Sequence, residues 1–167
     1  MKPRGSNTAL LLLLMALGAF VWRTSAGLPP VVASHFGADG AADGAMARGS
    51  YLVLMLLLVV GLPLLIGWLV PVVAGGEGRH LNIPNRAYWL APERRAATLA
   101  FVYGHLRWFA AAVALFLAYV HLLVVRANAQ QPPQLSFSDI TGALLVFFLA
   151  LAAWMAVLWA RLRRRDS

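Results

Sequence analysis

The stretch YLVLMLLLVVGLPLLIGWLVPVV occupies residues 51–73 and contains no charged side chain. A helix of this length, rising about 1.5 Å per residue, can cross the ~30 Å hydrocarbon core of a bilayer with some tilt. Its two prolines each remove a backbone hydrogen-bond donor. We therefore expect a transmembrane helix with a kink near Gly61 and Pro63 and with fraying or termination near Pro71.

Three further apolar blocks have the same character. Residues 9–22 form the first, which is slightly short of a full crossing. Residues 108–125 are the uncharged part of a third helix, which we expect to begin at Pro92 because proline suits the first helical turn. Residues 140–160 form the last block, and four arginines follow it closely. The sequence therefore predicts an all-α fold, namely a four-helix transmembrane bundle with a Gly/Asp-rich outer loop between helices 1 and 2.

We expect a single membrane domain. This domain covers residues 1–167. It divides into a helix-loop-helix unit at residues 1–75, a cytoplasmic loop at residues 76–97 and a second helix pair at residues 98–167. The first helix has features of a cleavable signal peptide, since a basic start precedes a leucine run and a tolerable cleavage site ends at Ala26. Because Arg23 lies close to that site, we expect the helix to remain attached.

The composition excludes several classes of function. Hydrophobic residues make up 61% of the chain and charged residues 12%, about half the charged share of a soluble domain. The absence of cysteine excludes disulfides, thiolate metal sites and a cysteine nucleophile. No paired acid and base or activated nucleophile is evident, so we expect neither an enzyme nor a cofactor. The net charge of +8 comes from basic residues beside apolar blocks, where they favour anionic lipid over nucleic acid.

The basic residues also predict orientation. With the N-terminus inside, the residues left outside are Arg23, Arg48 and Arg126. The other basic residues lie on the cytoplasmic side: Lys2, Arg4, Arg79, Arg86, Arg94, Arg95, Arg107, Arg161, Arg163, Arg164 and Arg165. This asymmetry follows the positive-inside rule and predicts an inner-membrane protein with both termini cytoplasmic. We expect interface aromatic residues in two sets, Trp22, Tyr51 and Tyr119 outside and Trp68, Trp108 and Trp159 inside.

The loop between the first two helices, LPPVVASHFGADGAADG at residues 28–44, is rich in turn-forming residues. Glycine permits positive φ angles, and aspartate side chains can accept hydrogen bonds from following backbone amides. We therefore expect tight turns at Asp39-Gly40 and at Asp43-Gly44. A simple connection between helices could be much shorter.

The same loop contains a histidine and an aromatic residue. We expect an extended segment over residues 31–36, with Phe36 exposed beside His35. His35, Asp39 and Asp43 superficially resemble a metal-binding set. Their spacing is not that of an EF-hand loop and no fourth ligand lies nearby, so we expect turn-forming residues and no metal.

The pattern L-P, then H-F, then G-x-x-D-G, set between two apolar helices, resembles the domain of unknown function at the N-terminus of SdpI-type bacterial immunity proteins. The residues that carry the resemblance are Leu28, Pro29, His35, Phe36, Gly40, Asp43 and Gly44. The resemblance implies that the loop recognises a ligand or partner through His35, Phe36, Gly40, Asp43 and Gly44. Ala45 stands where that family usually has tryptophan, which weakens any contact that depends on the ring. Because the second half of the chain is not the SdpI-specific module, an immunity function does not transfer automatically.

The cytoplasmic loop carries NRAYWLAPERR at residues 85–95. Arg86, Tyr88 and Trp89 combine positive charge with apolar surface, a mixture typical of the lipid headgroup region. The same residues could instead dock a partner, and of the two we favour the lipid interface. The predicted partners are therefore membrane lipids and a membrane-protein or peptide partner.

One stripe of the third helix combines small and polar residues at three- and four-residue steps: Tyr103, Arg107, Ala110, Ala114, Ala118 and His121. The fourth helix carries a similar stripe of small residues: Ala152, Ala156 and Ala160. We expect these two faces to pack together. Arg107 and His121 could line a polar path, but they stand about 21 Å apart along the helix with no ionisable group between them on the stripe. We therefore expect two interface-level polar residues.

These observations favour a non-catalytic multi-pass membrane protein whose outer loop recognises a ligand or partner in immunity or signalling. The alternative is a small transporter or channel, or an accessory subunit of a membrane complex. Four spans with few polar groups inside the membrane make a poor substrate path unless the chain oligomerises.

Overall fold

The computed structural model describes residues 4–73 and 78–163. Within these ranges four helices are long and apolar enough to cross a membrane: Asn7–Ser25, Arg48–Leu69, Pro92–Asn128 and Phe137–Arg163. The predicted number of helices long and apolar enough to cross a membrane is therefore confirmed. Three of the basic residues used for orientation lie outside the described ranges: Lys2, Arg164 and Arg165.

The fold is not purely helical, because a β-hairpin joins the first two spans. Helix α1, Arg4–Ser25, is followed by strands β1, Val31–Phe36, and β2, Ala42–Ala47, which pair antiparallel. Residues 31–36 are extended as predicted. The pairing with β2 was not predicted, because alanine and glycine dominate that strand and both are poor strand formers.

The second span is built from five consecutive segments: α2 Arg48–Leu56, a π-helical turn Leu57–Gly61, α3 Leu62–Leu64, a second π-helical turn Leu65–Leu69 and α4 Val70–Val73. Pro63 lies between the two π-helical turns and has no amide to donate. The amide of Leu62 donates to the carbonyl of Leu57, five residues back. The irregularity expected at Gly61 and Pro63 is thus a local change from α-helical hydrogen bonds, which reach four residues back, to π-helical hydrogen bonds, which reach five. The helix includes Pro71 and continues to Val73, beyond which four residues are not described.

The chain is completed by the short helix α5 Arg86–Trp89, the long helix α6 Pro92–Asn128 and the last span α7 Phe137–Arg163. The core lies between α1, the second span and α6. Ala110 and Ala114 of α6 are fully buried and share a cluster with Leu10 and Leu14 of α1. The small residues of α6 therefore let α1 approach closely.

Helix α7 packs on α6 through aromatic rings. Three residues of its predicted contact stripe are exposed instead: Ala152, Ala156 and Ala160. Phe147 stacks on Phe116 with ring centroids 4.6 Å apart, and Trp154 stacks on His105 at 4.8 Å. Each of His105 and Trp154 also donates a ring N–H to the backbone carbonyl of the other at 2.9 Å. The predicted packing of the two alanine stripes is therefore wrong, because bulky rings fill this contact and the small face of α6 is turned toward α1.

Candidate functional site

The hairpin is fixed to the end of α6 by one asparagine side chain. Asn128 donates to the carbonyl of Ala33 and accepts from the amide of Ala33, both at 2.9 Å. Its side chain thus pairs with the edge of β1 as a neighbouring strand would. A further hydrogen bond from Asn128 to the carbonyl of Val124, also 2.9 Å, holds the amide group on its own helix. Two hydrogen bonds of a single residue therefore seat the hairpin on the bundle, and a third holds that residue in place.

The turn of the hairpin rests on the segment between α6 and α7. Gln134 donates to the carbonyl of Asp39 at 2.8 Å, and the amide of Leu135 donates to the carbonyl of Gly40 at 2.9 Å. Asp39 accepts from the amide of Ala41 at 3.0 Å, so the predicted turn at Asp39-Gly40 is confirmed. Gly40 has a φ of +80°, and a Cβ atom there would lie 2.4 Å from the carbonyl oxygen of Leu135. This turn requires glycine both for its conformation and for space.

The second predicted turn, Asp43-Gly44, is wrong. Both residues lie within β2, and Gly44 is paired with His35 across the hairpin. The carboxylate of Asp43 contacts Nδ1 of His35 at 2.5 Å, so it has a cross-strand partner in place of a backbone amide. A Cβ atom on Gly44 would lie 3.0 Å from Cβ of His35. Glycine therefore leaves room for the imidazole to reach Asp43.

The His35–Asp43 pair faces outward. The side chain of His35 is 76% exposed and that of Asp43 is 53% exposed. It is the one contact between a basic and an acidic side chain within 4.0 Å in residues 4–73 and 78–163, where no three His, Asp or Glu side chains converge to hold a metal ion. An imidazole beside a carboxylate can donate and accept hydrogen bonds, and it carries positive charge when protonated. The arrangement suits recognition of a polar group.

Phe36 is not the exposed aromatic residue that the sequence suggested. Its ring is half-buried and packs on the apolar cluster that contains Val32 and Tyr51. Phe36 thus anchors the end of β1, whereas His35 and Asp43 remain available for contact. The fold brings His35, Asp43 and Gly44 together, packs Phe36 on the apolar cluster and places Gly40 in the turn.

A polar chain that the sequence did not predict as a unit lies in the core next to the hairpin. His121 is fully buried, with Nε2 2.7 Å from the hydroxyl of Thr24 and Nδ1 2.9 Å from the hydroxyl of Tyr51. Thr24 donates its proton to the carbonyl of Phe20 at 2.7 Å, so it accepts from Nε2 of His121. Nδ1 of the neutral ring then accepts from Tyr51. This buried triad of Thr24, His121 and Tyr51 gives both ring nitrogens a partner and ties together α1, α2 and α6.

The sequence predicted interface-level positions for His121 and Tyr51, and the structure buries both side chains between the helices. Their exposed fractions are 0% and 2%. The available signal was the position of His121 on the small-residue stripe of α6, because such a stripe marks a face in close helix contact. Arg107 on the same stripe is half-buried, with Cγ 3.8 Å from the Cβ position of Gly67 in the second span.

The predicted lipid-interface residues are divided between surface and core. Arg86 is exposed and donates to the carbonyl of Arg79 at 3.0 Å, which organises the loop before α5. Tyr88 is half-buried. Trp89 is buried, and its indole donates to the carbonyl of Leu162 in α7 at 2.7 Å. Trp89 therefore connects α5 to α7, and the surface candidates of this segment are Arg86 and Tyr88.

Fold and site together define a small, multi-pass, mostly helical membrane protein that carries an anchored β-hairpin with an exposed His–Asp pair. Comparison with known proteins finds no matching family model, no matching curated protein and no matching solved structure. The functional conclusion therefore rests on the geometry of the chain's own residues.

Proposed function

We propose that this is a non-catalytic inner-membrane protein of the immunity or signalling type, whose hairpin recognises a ligand or partner. The observation that carries the proposal is the exposed His35–Asp43 pair on a hairpin fixed to the bundle. The resemblance to the domain of SdpI-type immunity proteins supports the same assignment, because His35, Asp43 and Gly44 belong to its motif.

The anchoring of the hairpin favours recognition over simple connection. Asn128 fixes β1, Gln134 fixes the turn, and Arg48 donates to the carbonyl of Leu28 at 3.0 Å just before β1 begins. A loop that only joined two helices would need none of these contacts. A surface that is already ordered loses less conformational entropy when a partner binds. The hairpin is therefore prepared to present His35 and Asp43 in one fixed arrangement.

His35→Ala and Asp43→Asn should each abolish recognition while leaving the fold intact. Both side chains are exposed, so the contact between them adds little to stability. The variants would be compared at matched expression for complementation of a strain that lacks the gene. Their melting temperatures in detergent should stay within about 2 °C of the wild type.

Gln131→Ala is the matched control, since this side chain is exposed near the same end of the bundle but outside the hairpin. It should complement fully. Phe36→Ala belongs to a different class, because loss of a half-buried ring should lower stability by about 1–3 kcal/mol. Full complementation by both His35→Ala and Asp43→Asn would move the candidate site to Arg86 and Tyr88.

We also propose that the hairpin lies on the external side of the cell membrane and that both termini lie on the cytoplasmic side. The excess of basic residues at the end opposite the hairpin supports this orientation. Reporter fusions at Gly78 and after Asp166 should give cytoplasmic signals, and fusions at Ala41 and Gln131 external ones. A cytoplasmic signal at Ala41 would contradict the orientation and, with it, an external ligand.

A further inference from the structure

A cavity of about 200 Å³ lies at the end of the bundle opposite the hairpin, between α5, the start of α6 and the end of α7. Arg94 and Arg161 both line it. The guanidinium of Arg94 lies 4.2 Å from the ring centroid of Tyr88, and that of Arg161 lies 5.7 Å from the ring centroid of Trp89. Cation–π contacts of this kind hold both positive charges at the cavity without neutralising them.

The charge of the cavity indicates the kind of ligand. Among the described residues neither Arg94 nor Arg161 has a carboxylate within 4.0 Å. Glu93 also lines the cavity, so the two arginines and one glutamate leave a single net positive charge. A phosphodiester carries one negative charge, and a guanidinium presents paired N–H donors that match phosphate oxygens. The cavity therefore fits a phosphate ester in charge and in donor chemistry.

The depth of the cavity matches the level of lipid phosphates. The uncharged residues 140–160 of α7 end immediately before Arg161. Their helix length of about 31 Å equals the thickness of the hydrocarbon core, so Arg161 begins the headgroup layer. Trp159 is 56% exposed and has the position of an interface anchor at the same end.

We propose that this cavity is a binding site for a phosphate ester, supplied by a lipid headgroup or by a soluble ester, and held by Arg94 and Arg161. A bound phosphate connects the start of α6 to the end of α7, which also meet here where the guanidinium of Arg161 lies 5.9 Å from the ring centroid of Phe101. The site lies at the opposite end of the bundle from the hairpin, so it does not depend on the recognition function proposed there.

The test is the binding of short-chain dihexanoylphosphatidylglycerol to the full-length protein purified in detergent, measured by native mass spectrometry. The wild type should bind it saturably. Arg94→Gln and Arg161→Gln should each weaken binding by about tenfold or more, because each removes charge-assisted hydrogen bonds. Arg163→Gln is the matched control: it makes the same charge change two residues from Arg161, outside the cavity lining, and should change affinity by less than about threefold.

Sodium phosphate titrated in the same way distinguishes the two sources. If phosphate binds as tightly as the lipid, the natural ligand is a soluble ester. If phosphate binds about tenfold more weakly, the natural ligand is a lipid headgroup. Both outcomes support a phosphate site. Equal effects of Arg161→Gln and Arg163→Gln, or no saturable binding of either probe to the wild type, would overturn the proposal. If Arg161→Gln fails to fold, the exposed Arg94 provides the same comparison through Arg94→Gln.

Discussion

Gly40→Val is expected to prevent the accumulation of folded protein. Gly40 has a φ of +80°, where valine is strained, and a Cβ atom there would overlap the carbonyl oxygen of Leu135 at 2.4 Å. The Leu135 backbone cannot move away freely, because its amide donates to the carbonyl of Gly40. Strain and overlap together should lower stability by more than about 3 kcal/mol. The measurement is the yield of monodisperse protein after detergent extraction, together with its melting temperature.

Gly49→Val is the matched control for this substitution. A Cβ atom on Gly49 meets nothing within 4 Å, and valine is at least as favourable as glycine in a helix. Gly44→Val should be intermediate, because its Cβ contact at 3.0 Å is with Cβ of His35, which rotation of the imidazole does not move, so the two strands must separate by a few tenths of an ångström. Equal effects at Gly40 and Gly49 would show that the hairpin turn does not depend on its contact with Leu135.

Features determined by local sequence were predictable. A charge-free stretch long enough to cross a bilayer is a property of the stretch itself, so hydropathy located all four spans. Pro63 lacks an amide in any surroundings, which is why the irregularity of the second span could be placed. The turn at Asp39-Gly40 likewise depends on neighbouring residues of one short segment.

The contacts between spans could not be predicted in this way. Inside a bilayer both the lipid-facing and the helix-facing surfaces are apolar, so hydrophobic periodicity does not show which face is buried. Ala114 and Ala156 both lie on stripes of small residues, yet the first is fully buried and the second is exposed. The difference depends on the bulk of Phe147 and Trp154, which occupy the contact between α6 and α7.

The candidate site was predictable in composition but not in geometry. The loop sequence singled out His35 and Asp43, whereas their pairing depends on the strand register that places Gly44 opposite His35. Asn128 is separated from Ala33 by 95 positions and gives no local signal of its role. A side chain that pairs with a strand as a neighbouring strand would becomes recognisable only when the positions of both α6 and β1 are known.

His121→Ala should destabilise the contact of three core elements. The substitution removes two hydrogen bonds and a fully buried ring. The resulting cavity and the unpaired hydroxyl of Tyr51 should together lower stability by about 3 kcal/mol. Tyr51→Phe removes one hydrogen bond, and such bonds in membrane proteins average about 0.6 kcal/mol, so its effect should be about 1 kcal/mol or less. His80→Ala, in an exposed position at the other end, is the control and should leave the melting temperature unchanged.

The loss of the buried triad should also destabilise the hairpin, because two residues of the triad lie at the helix ends that the hairpin joins. Thr24 is the next-to-last residue of α1, and Tyr51 lies in the first turn of α2. Without His121 to hold them at one level, these ends can separate, and the amides of β1 should exchange faster with solvent even though Asn128 is intact. Hydrogen exchange read at Ala33, whose amide bonds to Asn128, measures this directly. A lowered melting temperature with unchanged exchange at Ala33 would show that the triad stabilises the bundle alone and that Asn128 is sufficient to seat the hairpin.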